Sequence, residues 1–184
     1  MTITTPFRDG LIAAIPGLRA FGLSLTARGD RADDLVQETL MKAWKHHESF
    51  EPGSNLKAWL YTILRNEFYS QLRKRRREVE DADGIYSSRV AVHGEQDGHL
   101  DMADLRVALA KLPADQREAI ILVGASGFSY EEAAEICNTA VGTIKSRVNR
   151  ARRKLAELLN IGGSEAFGPD AHVEAVLANS SRGI

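Results

Sequence analysis

The sequence predicts an all-α protein built from two small helical domains joined by a flexible linker. Leu, Ala, Arg and Glu are abundant in this chain of 184 residues, and they favour helix. Apolar residues recur at intervals of three and four, and there is no sustained alternation of Val, Ile, Thr and aromatic residues that would predict strands. Residues 78–101 are acidic and polar, which predicts a flexible linker between helical blocks at residues 6–77 and 102–161.

The formal net charge of −1 hides an uneven distribution along the chain. Residues 1–77 carry +5, residues 78–101 carry −6, residues 102–161 carry +2, and the remaining tail carries −2. Because phosphate binding responds to local charge, two positive blocks around an acidic linker favour nucleic acid as a partner.

The cysteine content and the absence of membrane or signal segments indicate the cellular compartment. A single cysteine, Cys137, makes an intramolecular disulfide impossible, which suits a reducing cytoplasm. No stretch approaches the roughly 20 apolar residues of a spanning helix, and the N-terminus lacks the layout of a signal peptide. We therefore expect a cytoplasmic protein with no membrane partner, in which Cys137 is a buried structural thiol.

In the first block a helix is predicted over residues 31–45, and Asp30 is its expected N-terminal cap. One side of this helix is assigned to the core by its spacing: Ala32, Val36, Leu40, Ala43 and Trp44. The opposite side carries Asp34, Gln37, Glu38, Met41 and Lys45. Periodicity alone favours a solvated surface for this second set.

A second helix is predicted over residues 55–76, with an apolar arc that includes Trp59 and has Tyr61 at its edge. Its other side carries Thr62, Arg65, Asn66, Tyr69, Arg73 and Arg76, and the helix ends in the run RKRRR. Cations hold phosphates, amides read base edges and rings stack on exposed bases, so this face predicts binding to single-stranded or melted DNA. The alternative is a basic helix end that complements the helix dipole.

The second block predicts a helix-turn-helix. Ser129 and Glu132 have the spacing of a capping box before a short helix at 130–137, and Asn138 suits the tight turn after it. The final helix, over residues 140–159, buries one stripe: Val141, Ile144, Val148, Ala151 and Leu155. Facing away are Gly142, Thr143, Ser146, Arg147, Arg150 and Arg153. Early residues of such a helix reach base edges while later cations take phosphates, although a charged outer face on an ordinary amphipathic helix remains an alternative.

Four segments carry a resemblance to a known family. DDLVQET at 33–39 resembles the polymerase-binding segment of sigma factors, and LKAWLYTILRN at 56–66 resembles their promoter-melting, −10-reading helix. SYEEAAEI at 129–136 and VGTIKSRVNRAR at 141–152 resemble the −35-reading domain of extracytoplasmic-function (ECF) sigma factors, specifically the EcfG type of the general stress response.

The resemblance implies a function and its residues. Core RNA polymerase would be bound by Asp34, Gln37, Glu38 and Met41. Melted −10 DNA would be contacted by Tyr61, Thr62, Arg65, Asn66, Tyr69, Arg73 and Arg76. The duplex −35 element would be read by Gly142, Thr143, Lys145, Ser146, Arg147, Arg150 and Arg153. A NepR-like anti-sigma factor would block the protein, a PhyR-like regulator would release it, and promoters would carry elements similar to GGAAC and GTT.

Three other functions fit the sequence less well. A sigma mimic would bind the anti-sigma factor without DNA, but no receiver domain is attached and both DNA faces keep their cations. A helix-turn-helix repressor would leave the first block unexplained. An enzyme would need a phosphate loop, a Cys–His pair or ligands with metal spacing, and the acids and histidines at 93–99 are expected to be solvated. No catalytic residue, metal or cofactor is predicted.

Overall fold

The computed structural model describes residues 5–80 and 100–160, and within these ranges all regular structure is helical, as predicted. The first block contains α1 (Thr5–Thr26), α2 (Gly29–Lys45) and α3 (Leu56–Glu80). The second block contains α4 (Leu100–Ala110), α5 (Ala114–Ile120), α6 (Tyr130–Cys137) and α7 (Val141–Leu158). A 3₁₀ turn at His47–Ser49 follows α2, and a π turn at Ile121–Ala125 follows α5. Most of the predicted linker and the tail lie outside the described residues.

Helix α2 ends at Lys45 as predicted but differs from its prediction at its start and in one core residue. It begins at Gly29, and Arg28 occupies the cap position without a side-chain cap. Asp30 therefore lies inside the first turn, where it pairs with Arg28 at 2.5 Å, and its predicted role as the cap is wrong. Trp44, predicted to lie in the core, is 48% exposed because Ala43, one residue earlier, takes the buried position. The core side of α2 consists of Ala32, Leu35, Val36, Thr39 and Ala43.

Helix α3 packs across α1 and α2. The side-chain Oδ1 of Asn55 accepts a hydrogen bond from the backbone N–H of Ala58 at 3.1 Å, so Asn55 caps the helix close to its predicted start. A salt bridge between Lys42 and Glu67 joins α2 to α3. Leu60 and Leu64 are fully buried, which anchors the apolar side of α3 in the core.

The helix-turn-helix prediction is confirmed in its local geometry. The Ser129 hydroxyl accepts from the N–H of Glu132 at 3.0 Å, and the Glu132 carboxylate accepts from the N–H of Ser129 at 2.9 Å. Asn138 ends α6 in the left-handed conformation at φ 48°. Four of the five stripe residues of α7 are buried as expected, with Ile144 and Val148 at the centre, while Val141 at the start of the helix is half-buried.

Removing the cap of α6 should weaken the second block. We expect Ser129→Ala to lower the free energy of unfolding by about 1 kcal/mol, because the N–H of Glu132 loses its acceptor. Urea unfolding measures the change. Ser54→Ala is the control, since the Ser54 hydroxyl donates only to Glu51 in an exposed turn. Equal stabilities of the two variants would show that the cap contributes nothing.

The two blocks share one apolar core, which the sequence did not predict. Phe21 and Leu64 of the first block belong to the same cluster of buried side chains as Phe128 and Ile144 of the second. Cys137 is also part of this cluster, as its predicted burial requires, and burial together with the charge of Glu118 raises the pKa of its thiol to about 12. The described blocks therefore form a single packed body.

Candidate polymerase and nucleic-acid interfaces

The predicted polymerase-binding residues lie on one exposed face of α2. Asp34, Gln37, Glu38 and Met41 are all exposed, because Leu35, Val36 and Thr39 turn inward between them. The buried Thr39 hydroxyl donates to the Leu35 carbonyl at 2.7 Å, so its hydrogen-bonding capacity is satisfied within the helix. We call Asp34, Gln37, Glu38 and Met41 the polymerase face.

An apolar groove lies beside the polymerase face, between α1 and α2. Ile12, Met41 and Trp44 are 59%, 57% and 48% exposed and line it together with Leu11, Ile15 and Leu40. Sequence reasoning missed Ile12 and placed Trp44 in the core. Exposed apolar side chains that gather in one place indicate a binding surface, whereas single ones do not.

The predicted −10 face of α3 is only partly accessible. Asn66 and Arg73 are exposed, whereas Thr62, Arg65 and Tyr69 are half-buried. The Thr62 hydroxyl donates to the Ala58 carbonyl of its own helix at 2.9 Å. Arg76 lies on the same helix, and its side chain lies outside the described part of the chain. The basic run at the end of α3 is exposed at the described positions Arg73, Lys74, Arg75 and Arg77.

Tyr61 is buried rather than available to a base. Its ring is 1% exposed, is stacked on Phe21 at 5.0 Å between centroids, and meets the edge of Phe128 at 4.8 Å. Burial raises the pKa of its hydroxyl. Phe128 comes from the second block, so that block covers the edge of the apolar arc where Tyr61 lies. In this arrangement Tyr61 cannot stack on DNA, and its DNA contact stays a prediction for separated blocks.

Arg65 and Tyr69 are held by an acid from the second block. Arg65 donates from Nε to Glu118 Oε1 at 2.7 Å and from Nη2 to Oε2 at 3.4 Å, and Tyr69 donates to Oε2 at 3.4 Å. Burial lowers the pKa of Arg65, but the charge and hydrogen bonds of Glu118 outweigh it, so the pKa is raised overall. Burial and the same carboxylate raise the pKa of Tyr69. We call Arg65, Tyr69 and Glu118 the ionic latch.

The predicted −35 face lies on α7. Gly142, Arg150 and Arg153 are exposed, while Thr143, Lys145, Ser146 and Arg147 are half-exposed. Arg147 pairs through Nε with Asp115 of α5 at 3.1 Å, and the Lys145 ammonium lies 5.7 Å from the centroid of the Tyr130 ring. The exposed start of α7 has small side chains, as entry into a DNA groove requires.

Two other kinds of site find no support in the described ranges. No group of His, Cys, Asp and Glu side chains there could hold a metal ion, and the sequence cluster at 93–99 lies outside them. Nor is any helix within residues 5–80 and 100–160 long and apolar enough to cross a membrane.

Comparison with known proteins identifies the family. Residues 11–78 match the model of Sigma-70 region 2, and residues 102–155 match that of Sigma-70 region 4. The chain is 61% identical over 180 residues to the ECF RNA polymerase sigma factor EcfG of Rhodopseudomonas palustris, covering 98% of this chain and 99% of the relative. The chain belongs to the ECF sigma factors. It is therefore a transcription initiation factor that binds core RNA polymerase and directs it to promoters.

Solved structures agree with this ECF assignment. The sigma factor RpoE of Bartonella quintana, solved in complex with the anti-sigma factor NepR, is 61% identical with a TM-score of 0.78, over 87% of this chain and 100% of that one. CnrH, solved with the cytosolic domain of CnrY, is 26% identical with a TM-score of 0.61, over 85% of this chain and 89% of that one. Both were solved in complex with a second protein.

Proposed function

We propose that this sigma factor directs transcription of general stress response genes in the cytoplasm under the control of a NepR-like anti-sigma factor. The observation that carries the proposal is the 61% identity to EcfG along nearly the whole of both chains. The likeness to RpoE, which was solved with NepR, supports the anti-sigma factor as a partner. The protein acts by binding, while the polymerase supplies the chemistry, so it requires no cofactor and has no catalytic residue of its own.

The polymerase face and the apolar groove form the docking surface for core polymerase. Asp34 and Glu38 supply exposed negative charge, Gln37 supplies an amide, and Met41 joins this face to Trp44 in the groove. A charged rim beside an apolar centre is the composition of protein–protein interfaces.

The −10 face of α3 binds the melted strand, and α7 reads the −35 duplex. Exposed Asn66 and Arg73 support the first role, because amides read base edges and cations hold phosphates. For the second role the support is the capped helix-turn-helix, which presents Gly142 and Arg150 to solvent on α7. A PhyR-like regulator would remove the anti-sigma factor and would not act on these faces.

Run-off transcription with purified core polymerase tests the proposal. The template carries GGAAC and GTT elements at standard spacing, and a scrambled −35 template serves as the control. We expect transcript only when both the protein and the intact elements are present. Absence of transcript, together with demonstrated binding to a NepR-like protein, would overturn the proposal in favour of a sigma mimic.

Loss of Arg147 should weaken recognition of the −35 element. We expect Arg147→Ala to reduce affinity for GGAAC duplex by about 1–3 kcal/mol, the contribution of a base contact, as measured by fluorescence anisotropy. Lys154→Ala is the control on the same helix, because Lys154 pairs with Glu157 near the end of α7. Unchanged affinity of the Arg147 variant would remove this residue from the −35 face.

A further inference from the structure

The ionic latch occupies two side chains that the −10 strand would need. Glu118 is 1% exposed, and its carboxylate accepts three hydrogen bonds from Arg65 and Tyr69. The guanidinium carbon of Arg65 also lies 4.7 Å from the centroid of the Tyr69 ring. Both side chains belong to the first block, whereas the acid belongs to the second, so the contact exists only while the blocks are packed together.

A DNA strand cannot use Arg65 and Tyr69 while Glu118 holds them. A phosphate is bound through the guanidinium N–H groups, and two of these already point at Glu118. A base stacks on an open ring, and Arg65 lies over the Tyr69 ring. Because the Glu118 carboxylate is nearly inaccessible to water, there is no room for a strand between the three side chains. Closure of the blocks and DNA contact at these residues exclude each other.

The ionic latch stabilises the packed arrangement of the two blocks but still allows the blocks to separate. Removing one partner of a buried ion pair leaves the other charge without compensation, which disfavours the closed state strongly. Separation of the blocks instead returns both charges to water together. Two further polar contacts between the blocks are exposed: Asn55 donates to Glu132 at 2.6 Å, and Lys57 donates to the Ser126 carbonyl at 2.5 Å. Exposed contacts of this kind contribute little, whereas Glu118 is a buried charge in the described part of the chain and is paired across the blocks.

We propose that Glu118 is an autoinhibitory contact, which keeps the second block over the −10 face of α3 until the blocks separate. The partner of this surface is the chain's own second block, and the DNA strand competes with it for Arg65 and Tyr69. The inference rests on the proposed function, in which those two residues contact −10 DNA. A DNA phosphate can compete with the Glu118 carboxylate because both anions bind the same guanidinium donors.

Glu118→Gln in the full chain tests the latch, because it removes the charge and keeps the shape of the side chain. Two quantities are measured: the radius of gyration by small-angle scattering, and the affinity for a fluorescent single-stranded oligonucleotide carrying GTT. We expect a larger radius and binding about tenfold tighter, since apparent affinity rises with the populated fraction of the open state. Glu157→Gln is the matched control, because Glu157 is an exposed acid of the second block that pairs only with Lys154 in the described structure.

If Glu118→Gln does not fold, as shown by loss of its helical circular dichroism, a second variant tests the latch. Tyr69→Phe keeps the stacking ring and removes only the hydroxyl that donates to Glu118. Tyr69→Phe should also increase the radius of gyration and tighten oligonucleotide binding, both by a smaller factor than Glu118→Gln. If neither folded variant differs from the wild type in radius or in affinity, the latch proposal is wrong.

Failure of the latch can be separated from failure of the −10 assignment. If Glu118→Gln opens the protein without tightening DNA binding, the competition is absent and the proposal is overturned. Adding Arg65→Ala to that variant then tests the −10 role directly. A further loss of affinity leaves Arg65 on the −10 face, whereas unchanged affinity removes it and shows that the proposed function erred at this residue.

Discussion

Truncation of Phe128 is expected to lower the free energy of unfolding by about 3–5 kcal/mol, the range for a buried phenylalanine replaced by alanine. The Phe128 ring is 4% exposed, meets Tyr61 at 4.8 Å, and lies 4.9 Å below the ammonium of Lys57. Phe128→Ala would open a cavity between the two blocks, because both contacts belong to the first block. The variant should therefore lose the cooperativity between the blocks as well as stability.

Two signals in one urea titration report this loss. Both tryptophans, Trp44 and Trp59, lie in the first block, so their fluorescence follows that block, while far-ultraviolet circular dichroism follows all helices. We expect the two curves to coincide in the wild type and to separate in Phe128→Ala. Leu72→Ala is the control, since Leu72 is 44% exposed and its truncation should change stability by less than about 0.5 kcal/mol. Coincident curves and a loss under about 1 kcal/mol would show that Phe128 does not join the blocks.

Features governed by neighbouring residues were predictable from the sequence. The capping box of Ser129 and Glu132 and the left-handed turn at Asn138 depend on side chains within a few positions of the backbone they satisfy. The buried stripe of α7 follows in the same way from helical periodicity, as Ile144 and Val148 illustrate. These local rules were enough to place the helix-turn-helix, and the residue types within it carried the resemblance to ECF sigma factors.

Features that depend on packing between distant segments were not predictable. Glu118 has the spacing of an ordinary surface acid on a short helix, and only the approach of α3 turns it into a buried partner of Arg65. Tyr61 stood at the edge of an apolar arc, and Phe128, more than sixty positions later, places it inside the core. The periodicity of one helix cannot reveal which element will cover its edge. From the sequence, Tyr61 could therefore be either a buried core residue or a ring that stacks on DNA bases.

Loss of Trp44 should reduce affinity for core polymerase more than loss of any one charge on the polymerase face. Trp44 is 48% exposed beside Met41 and Ile12, so its truncation removes the largest side chain of the apolar groove. Buried tryptophans at the centre of interfaces typically contribute 2 kcal/mol or more, which corresponds to about a 30-fold weaker dissociation constant. Charges such as Glu38 stay at the solvated rim, where their loss changes the association rate more than the affinity.

Titration of labelled core polymerase with Trp44→Ala measures this effect. Val107→Ala is the matched control, because Val107 is a comparably exposed apolar residue, at 40%, on α4 of the second block. Thermal unfolding of both variants should match the wild type, since neither side chain is buried in the free protein. If Trp44→Ala binds core polymerase as tightly as Val107→Ala does, the groove lies outside the docking surface. The polymerase face would then act through its polar side chains alone.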